Sequence, residues 1–273
     1  MEQLKAICKE SKSLIEFVAL EFGIARFRAE KLIKAGDVKL NDQRQKVEVE
    51  IKSGDAVDLY LSEEEVSKLK IAIVYQDENV IVAYKPSKIE SAGLYSMETR
   101  LSRQFDCNVK ACHRLDYNTK GINVFAITDN AYNEILKCFK EHKVKKIYRA
   151  MVFGEPQKQA NLKDYLFKDS KLKKCYVTSD MKRGALPIET NYKLVKKKGE
   201  ISELLVEPIT GRTHQIRAHL AFHGLYIAGD GKYGLNELNE RFGYKEQELY
   251  CISITFLFEQ NETLAYLNNK KFC

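Results

Sequence analysis

Ser62-Glu63-Glu64-Glu65-Val66-Ser67-Lys68-Leu69-Lys70 is dominated by charge and has little to bury, so it reads as a linker that splits the chain in two. Residues 1–61 on its N-terminal side change hydrophobic period partway along. Ser13-Leu14-Ile15-Glu16 has capping-box spacing, and Leu14, Phe17 and Val18 give a helical face. A second helix carries Ala29, Leu32 and Ile33 and stops at Gly36. The period then falls to two through Val38 and Leu40, Val47 to Ile51, and Val57 to Leu61, with turns at Asn41-Asp42 and Ser53-Gly54-Asp55. Two helices followed by short strands predict a small α+β module.

Residues 71–273 predict one larger domain. A hairpin is expected over 71–75 and 80–84, a helix over 131–146, and strands over 147–153, 191–195, 203–207 and 249–258. Thr213 is a plausible N-cap for a helix running through His223. Strands and helices do not alternate regularly, so a mixed or antiparallel sheet flanked by helices is expected in place of a parallel α/β sheet.

Bulk composition narrows the partners. Seven Cys in 273 residues, without a C-x-x-C pair, fit a reducing compartment and argue against a disulfide scaffold or zinc ribbon. No window approaches the ~20 apolar residues of a membrane span, and the start Met1-Glu2-Gln3-Leu4-Lys5 lacks the pattern of a secretory leader, so a cytoplasmic protein is expected. The net charge is +7, but Lys137 to Lys198 alone holds 18 Lys and Arg against 6 Asp and Glu. Such a concentration suits either a polyanion or a solvated lysine-rich surface.

Cys112-His113-Arg114-Leu115-Asp116-Tyr117-Asn118-Thr119-Lys120-Gly121 is a turn-rich loop that feeds the apolar run Ile122 to Ile127. It mounts one carboxylate two residues from a guanidinium, on an anchored strand. An Asp in a loop is more commonly an Asx turn or cap, and a strand Tyr such as Tyr148 more commonly core. Gly211-Arg212 before a helix start suits an anion. His219 and His223 lie four apart on the predicted helix, and His214 and His113 could add ligands, but His-Glu-x-x-His is absent, no acidic residue separates the pair, and spacing fixes no other ligand, so no metal is expected. No Gly-x-Ser-x-Gly elbow, Walker loop or G-x-G-x-x-G is present, and no nucleotide cofactor is expected.

Three separated motifs carry a resemblance. His113-Arg114-Leu115-Asp116 with Thr119 and Gly121, Lys146-Ile147-Tyr148-Arg149-Ala150 to Gly154, and Leu205-Val206-Glu207-Pro208 into Gly211-Arg212-Thr213-His214-Gln215-Ile216-Arg217 resemble the RluA-type RNA pseudouridine synthases. Ile73-Val74-Tyr75 to Lys85-Pro86 and Ala228-Gly229-Asp230 to Tyr233-Gly234 extend the likeness over roughly residues 71 to 260. Residues 13–61 are similar to the small RNA-binding module of small-subunit ribosomal protein four, with Ile33, Gly36, Val38, Asn41 and Gly54-Asp55 in place.

The resemblance implies a pseudouridine synthase fold, and an isomerase that needs no cofactor and converts uridine to pseudouridine in structured RNA. By the same resemblance Asp116 is the nucleophile and Tyr148 stacks on the base and is a candidate for proton removal. Arg212 is the ion-pair partner of Asp116, and Arg114 supports the flipped nucleotide, with His113 and Thr119 beside it at the substrate. Ribosomal RNA is favoured over transfer RNA because of the N-terminal module. That module holds 11 basic and 11 acidic residues, so it must rely on local placement of Arg26, Arg28, Lys31 and Lys34. A monomer is expected. The competing reading is a catalytically idle RNA-binding or ribosome-assembly factor on the same fold. Lys120, where the family has a small Ser, and Asn123, at a usually apolar position, depart from the pattern; Lys120 is expected to meet phosphate or to point to solvent.

Overall fold

A glycine and a serine set the first helices. In the computed structural model, which describes residues 1–273 apart from the side chain of Lys68, Ser13 Oγ accepts the Glu16 N–H at 3.2 Å. Gly36 closes the second helix at φ +81°, a left-handed conformation that costs glycine nothing.

The chain divides into two compact units, Met1–Ala72 with Ile89–Ala111, and Ile73–Lys88 with Cys112–Cys273. The first contains β1 (Glu2–Ile7), β2 (Lys12–Ser13), α1 (Leu14–Glu21), α2 (Arg26–Ala35), β3 (Val38–Leu40), β4 (Gln43–Gln45), β5 (Glu50–Ile51), β6 (Ala56–Leu61) and α3 (Glu63–Leu69). It also takes in α4 (Met97–Gln104) and β9 (Lys110–Ala111). Strands β1-β6-β3-β4 form an antiparallel sheet, and β2 pairs with β5. Leu14, Phe17, Val18, Leu32, Ile33, Val57 and Leu59 are buried together.

The expected linker over 62–70 is helical instead. Ser62 Oγ accepts the Glu65 N–H at 3.2 Å and the Glu65 carboxylate accepts the Ser62 N–H at 3.0 Å, which completes a reciprocal capping box. Val66 and Leu69 then join the core of this unit, so two apolar residues one turn apart outweigh the charge around them.

The second unit contains β7 (Ala72–Gln76), β8 (Val80–Lys85), β10 (Lys120–Ala126), α5 (Asp129–Lys140), β11 (Val144–Phe153), β12 (Gln159–Asp169), β13 (Lys174–Thr178), β14 (Leu186–Lys198), β15 (Ile201–Pro208), α6 (Gln215–Phe222), β16 (Tyr226–Ile227), α7 (Asn236–Phe242), β17 (Leu249–Phe256) and β18 (Lys271–Phe272). The order along its sheet is β13-β12-β14-β15-β11-β17-β10-β8-β7, with β16 on β11 and β18 on β17. The β10–β17 pair is parallel, whereas β8–β10, β11–β15, β11–β17, β12–β14 and β14–β15 are antiparallel. This is the mixed sheet that the irregular element order implied.

Helix α5 buries Ala131, Ile135 and Cys138 against the main core, and α6 packs Ala218 with Leu166, Cys175, Ile188 and Tyr233. The helix expected over 131–146 ends at Lys140. Phe139 is its last apolar contact, and His142 turns left-handed at φ +57° before the strand starts. Helix α6 likewise starts later than the expected Thr213 cap, behind His214 at φ +55°.

Gly121 opens β10 at φ +114°, and a Cβ there would fall inside the Cys251 backbone of the parallel neighbour β17. Only glycine allows that approach. Gly121→Ala should cost more than about 3 kcal/mol, from the forbidden φ and the clash together, read as a lower urea midpoint at unchanged slope.

Candidate active site

The loop before β10 is clamped from several directions. Cys112 N–H donates to the Val124 carbonyl (3.0 Å), and Thr119 N–H closes a turn on the Asp116 carbonyl (2.9 Å). Fully buried Lys85 donates through Nζ to the Tyr117 carbonyl at 3.1 Å and to the Pro86 carbonyl at 3.0 Å. Gln247 Nε2 donates to Thr119 Oγ1 at 2.8 Å. His113 Nε2 accepts the Val124 N–H at 3.1 Å, which places its proton on Nδ1. Burial, aided by the Lys146 cation, lowers the His113 pKa to about 3, so the ring is a neutral wedge against Phe139.

Asp116 is thereby held with Oδ2 on Arg217 Nη1 at 3.0 Å and 4.0 Å from His214 Nε2. Arg217 is itself buried on α6. Its Nε and Nη2 donate to the two oxygens of Asp230 at 2.7 and 2.9 Å, a two-point grip that fixes the guanidinium plane. Asp230 also accepts the N–H groups of Lys232 (2.9 Å) and Tyr233 (3.1 Å). Burial opposes its charge, but Arg217 and these amides overcome it and hold the carboxyl below its ordinary range. The Tyr233 ring lies 5.1 Å from the guanidinium carbon. Its hydroxyl accepts the Cys175 N–H at 2.8 Å and meets His214 Nδ1 at 2.9 Å, which orients the imidazole with Nε2 toward Asp116. Burial lowers the His214 pKa despite the nearby Asp116.

Asp116, His214 and Arg217 line a cleft of about 320 Å³ together with Arg114, Lys146, Tyr148 and Arg212. That is the low end of small-molecule pockets, enough for one nucleotide withdrawn from its stack. Tyr148, on β11, is buried, and burial followed by Cys251 and Asp116 raises its pKa well above normal. It therefore offers an aromatic face and an O–H rather than a phenolate, which weighs against service as a base. Lys146 Nζ lies 5.7 Å from the Phe139 ring centroid, and burial lowers its pKa.

The structure brings Asp116, Tyr148 and Arg114 together as the motifs suggested, and corrects the expected ion pair. Arg212 is exposed at the rim, and the cation on Asp116 is Arg217, five residues further on. Buried Gln215 explains the difference. Its Oε1 accepts the Arg212 N–H at 2.9 Å and its Nε2 donates to the Glu189 carbonyl at 3.0 Å, which ties residues 210–212 to the β14 side and leaves α6 to aim Arg217 inward. His113 and Thr119 line the cleft, with His113 Nε2 accepting from Val124 and Thr119 Oγ1 accepting from Gln247. Asn123 has a use in β10: its Nδ2 donates to the His113 carbonyl at 3.2 Å. Lys120 does not point to open solvent. Its Nζ sits 3.1 Å from Tyr250 Oη, 3.4 Å from Glu246 and 3.6 Å from Glu248.

In the other unit, Arg26, Arg28, Lys31 and Lys34 are all exposed on α2. Arg28 pairs with Glu65, and Lys34 with Glu30 at 2.6 Å. The basic segment is partly neutralised too, since Lys137 meets Glu262 and Lys143 meets Glu259, both supplied from outside it. Among the described residues, no helix is long and apolar enough to cross a membrane.

Comparison with known proteins shows the family. A family model described as RNA pseudouridylate synthase matches residues 79–222. The chain belongs to that family, in its RluA-type branch, and is an isomerase that converts uridine to pseudouridine in RNA. It is 27% identical over 263 residues to "Ribosomal large subunit pseudouridine synthase C" of Vibrio parahaemolyticus, covering 87% of this chain and 82% of that protein. It is 30% identical over 269 residues to the mitochondrial "tRNA pseudouridine(32) synthase" of Saccharomyces cerevisiae, covering 93% of this chain and 58% of that protein. "Dual-specificity RNA pseudouridine synthase RluA" of Salmonella typhi shares 35% over 179 residues, 61% of this chain and 78% of that protein. The solved human RNA Pseudouridylate Synthase Domain Containing 1 has a similar fold, with a TM-score of 0.62 at 22% identity, over 71% of this chain and 81% of that one.

Arg217→Met should lower stability by about 3–5 kcal/mol in urea unfolding, because Asp230 is left buried without its cation, whereas Arg212→Ala at the rim should change it by less than about 0.5 kcal/mol. His113 supplies a pH signature. Its folded pKa, about 3, lies below the value of about 6.5 for a free imidazole. The unfolded chain therefore binds more protons between those values, and this share of stability is complete above about pH 6.5 and lost as pH falls toward 3. Urea midpoints from pH 7 to pH 4 should fall less steeply for His113→Phe than for the native chain.

Proposed function

We propose that the chain isomerises specific uridines of structured RNA with Asp116 as the nucleophile, and that ribosomal RNA is its substrate. The observation that carries the reading is one carboxylate, clamped by its loop and by Arg217, facing a nucleotide-sized cleft floored by Tyr148. Arg217 occupies Oδ2 and leaves Oδ1 for the substrate. The target uridine is out of reach inside a stack, so it must be flipped into the cleft, and Arg114, exposed on the loop, fills the gap in this reading. Attack by the Asp116 carboxylate on the nucleotide lets the N1–C1′ bond open. The detached base turns on the face of Tyr148 and rejoins C1′ through C5, after which C5 gives up its proton, N1 carries one, and the carboxylate is released. A carboxylate serves because it is both a nucleophile at neutral pH and a competent leaving group.

Selection of the RNA falls to surfaces away from the cleft. Residues 1–61 act as a ribosomal-protein-four-like RNA module through the exposed α2 face of Arg26, Arg28, Lys31 and Lys34, and this favours ribosomal over transfer RNA. The exposed lysines of the basic segment contact backbone phosphate.

The test is a pseudouridine map of ribosomal and transfer RNA from cells lacking the gene, restored with the native chain or with Asp116→Asn. The native chain should restore at least one ribosomal site, and Asp116→Asn none. Restoration by Asp116→Asn would remove the nucleophile assignment, and restoration confined to transfer RNA would overturn the substrate.

A further inference from the structure

Asp164, His219 and His223 converge away from the cleft. Asp164 Oδ2, on β12, lies 3.0 Å from His219 Nε2 and 2.7 Å from His223 Nε2. One ligand atom from each residue falls within 4.8 Å of the others. None of the three lines the Asp116 cleft. The expectation that no metal binds rests on the absent His-Glu-x-x-His motif and on further ligands that spacing does not fix. Asp164, 55 residues before His219, supplies one that sequence spacing could not show.

We propose that these three side chains form a site for a borderline divalent cation of the zinc type, which pins α6 to β12. Four features support it. The histidines are one helical turn apart and present Nε2 to a single point, as a two-histidine metal face requires. The carboxylate supplies the hard ligand and the charge. His219 Nδ1 sits 2.9 Å from Thr190 Oγ1, an outer partner that fixes the ring and leaves Nε2 to the ion. The site is closed on one side and open on the other, since His219 and the Asp164 side chain are buried while the His223 side chain is 36% exposed. A water can complete four-coordination there.

The geometry needs little adjustment. Ligand atoms around a tetrahedral ion with bonds near 2.0–2.2 Å stand roughly 3.3 Å apart, close to the two separations seen here. Binding needs Nε2 unprotonated on each ring, so a proton that faces Asp164 moves to Nδ1, where on His219 the Thr190 Oγ1 at 2.9 Å accepts it. The role is structural. Arg217 lies two residues before His219 on α6, so an ion at this end fixes the helix whose other end carries the cation on Asp116.

The experiment uses the full chain, stripped with a chelator and titrated with Zn²⁺ by calorimetry and by thermal unfolding, and with Co²⁺ by absorption spectroscopy. One equivalent should bind, and Zn²⁺ at 100 times its Kd should raise Tm by about 5–10 °C. The Co²⁺ spectrum should show visible tetrahedral bands without a thiolate charge-transfer band. His223→Ala, at a partly exposed position, should keep its metal-free Tm within about 4 °C and bind more than about 100-fold more weakly, beyond the loss of a mere orienting partner. Asp164→Asn should weaken binding in the same way. Absence of stoichiometric binding to the native chain would overturn the proposal, as would undiminished binding by His223→Ala or a thiolate band that assigns the ion to cysteines.

Discussion

One buried guanidinium organises the second unit. Arg217 is taken from water on the inner face of α6, a position that is costly unless every charge on it is met. Asp230 meets it with two parallel hydrogen bonds, and Tyr233 covers it. With two donors committed to Asp230, the direction of Nη1 is fixed, and Asp116 receives a hydrogen bond from one bearing. The segment after β16, the helix α6 and the loop before β10 thus converge on a single side chain.

The loop achieves the same end by different means. Cys112 and Leu115 root it in the main core, and buried polar groups tie the rest: Lys85 on the Tyr117 carbonyl, Gln247 on the Thr119 hydroxyl, and Asn123 on the His113 carbonyl. Each would be a liability without its partner, and with it each narrows the positions open to Asp116. The nucleophile role proposed for Asp116 gains from such prior placement, since little ordering is left to the encounter with substrate.

Several features were legible in the residues. The change of period after Gly36, the Asn41-Asp42 turn and the irregular order of elements in the larger unit all follow from local pattern, and so they appear in the structure. The Ser62 to Lys70 segment shows where local reading misleads. Its Ser-x-x-Glu signature was visible, but the weight of charge obscured that Val66 and Leu69 suffice to bury one face of a seven-residue helix. Arg217 was in plain view within Gly211 to Arg217. A charged residue between Ile216 and Ala218 on a helix implies a buried acid elsewhere, and Ala228-Gly229-Asp230 offered one, but nothing in spacing says that the two meet.

The chain by itself determined that a carboxylate sits in a loop at the head of a strand, with a tyrosine strand and an arginine-bearing helix start in the same domain. Those are matters of turn chemistry, period and motif, which act over a few residues. Only the tertiary structure decided which arginine holds Asp116, what Lys120 and Asn123 are for, and that Asp164 stands against His219 and His223. Each of these is a meeting of side chains from separate strands, helices and loops, fixed by sheet order and by the need of buried polar groups for partners.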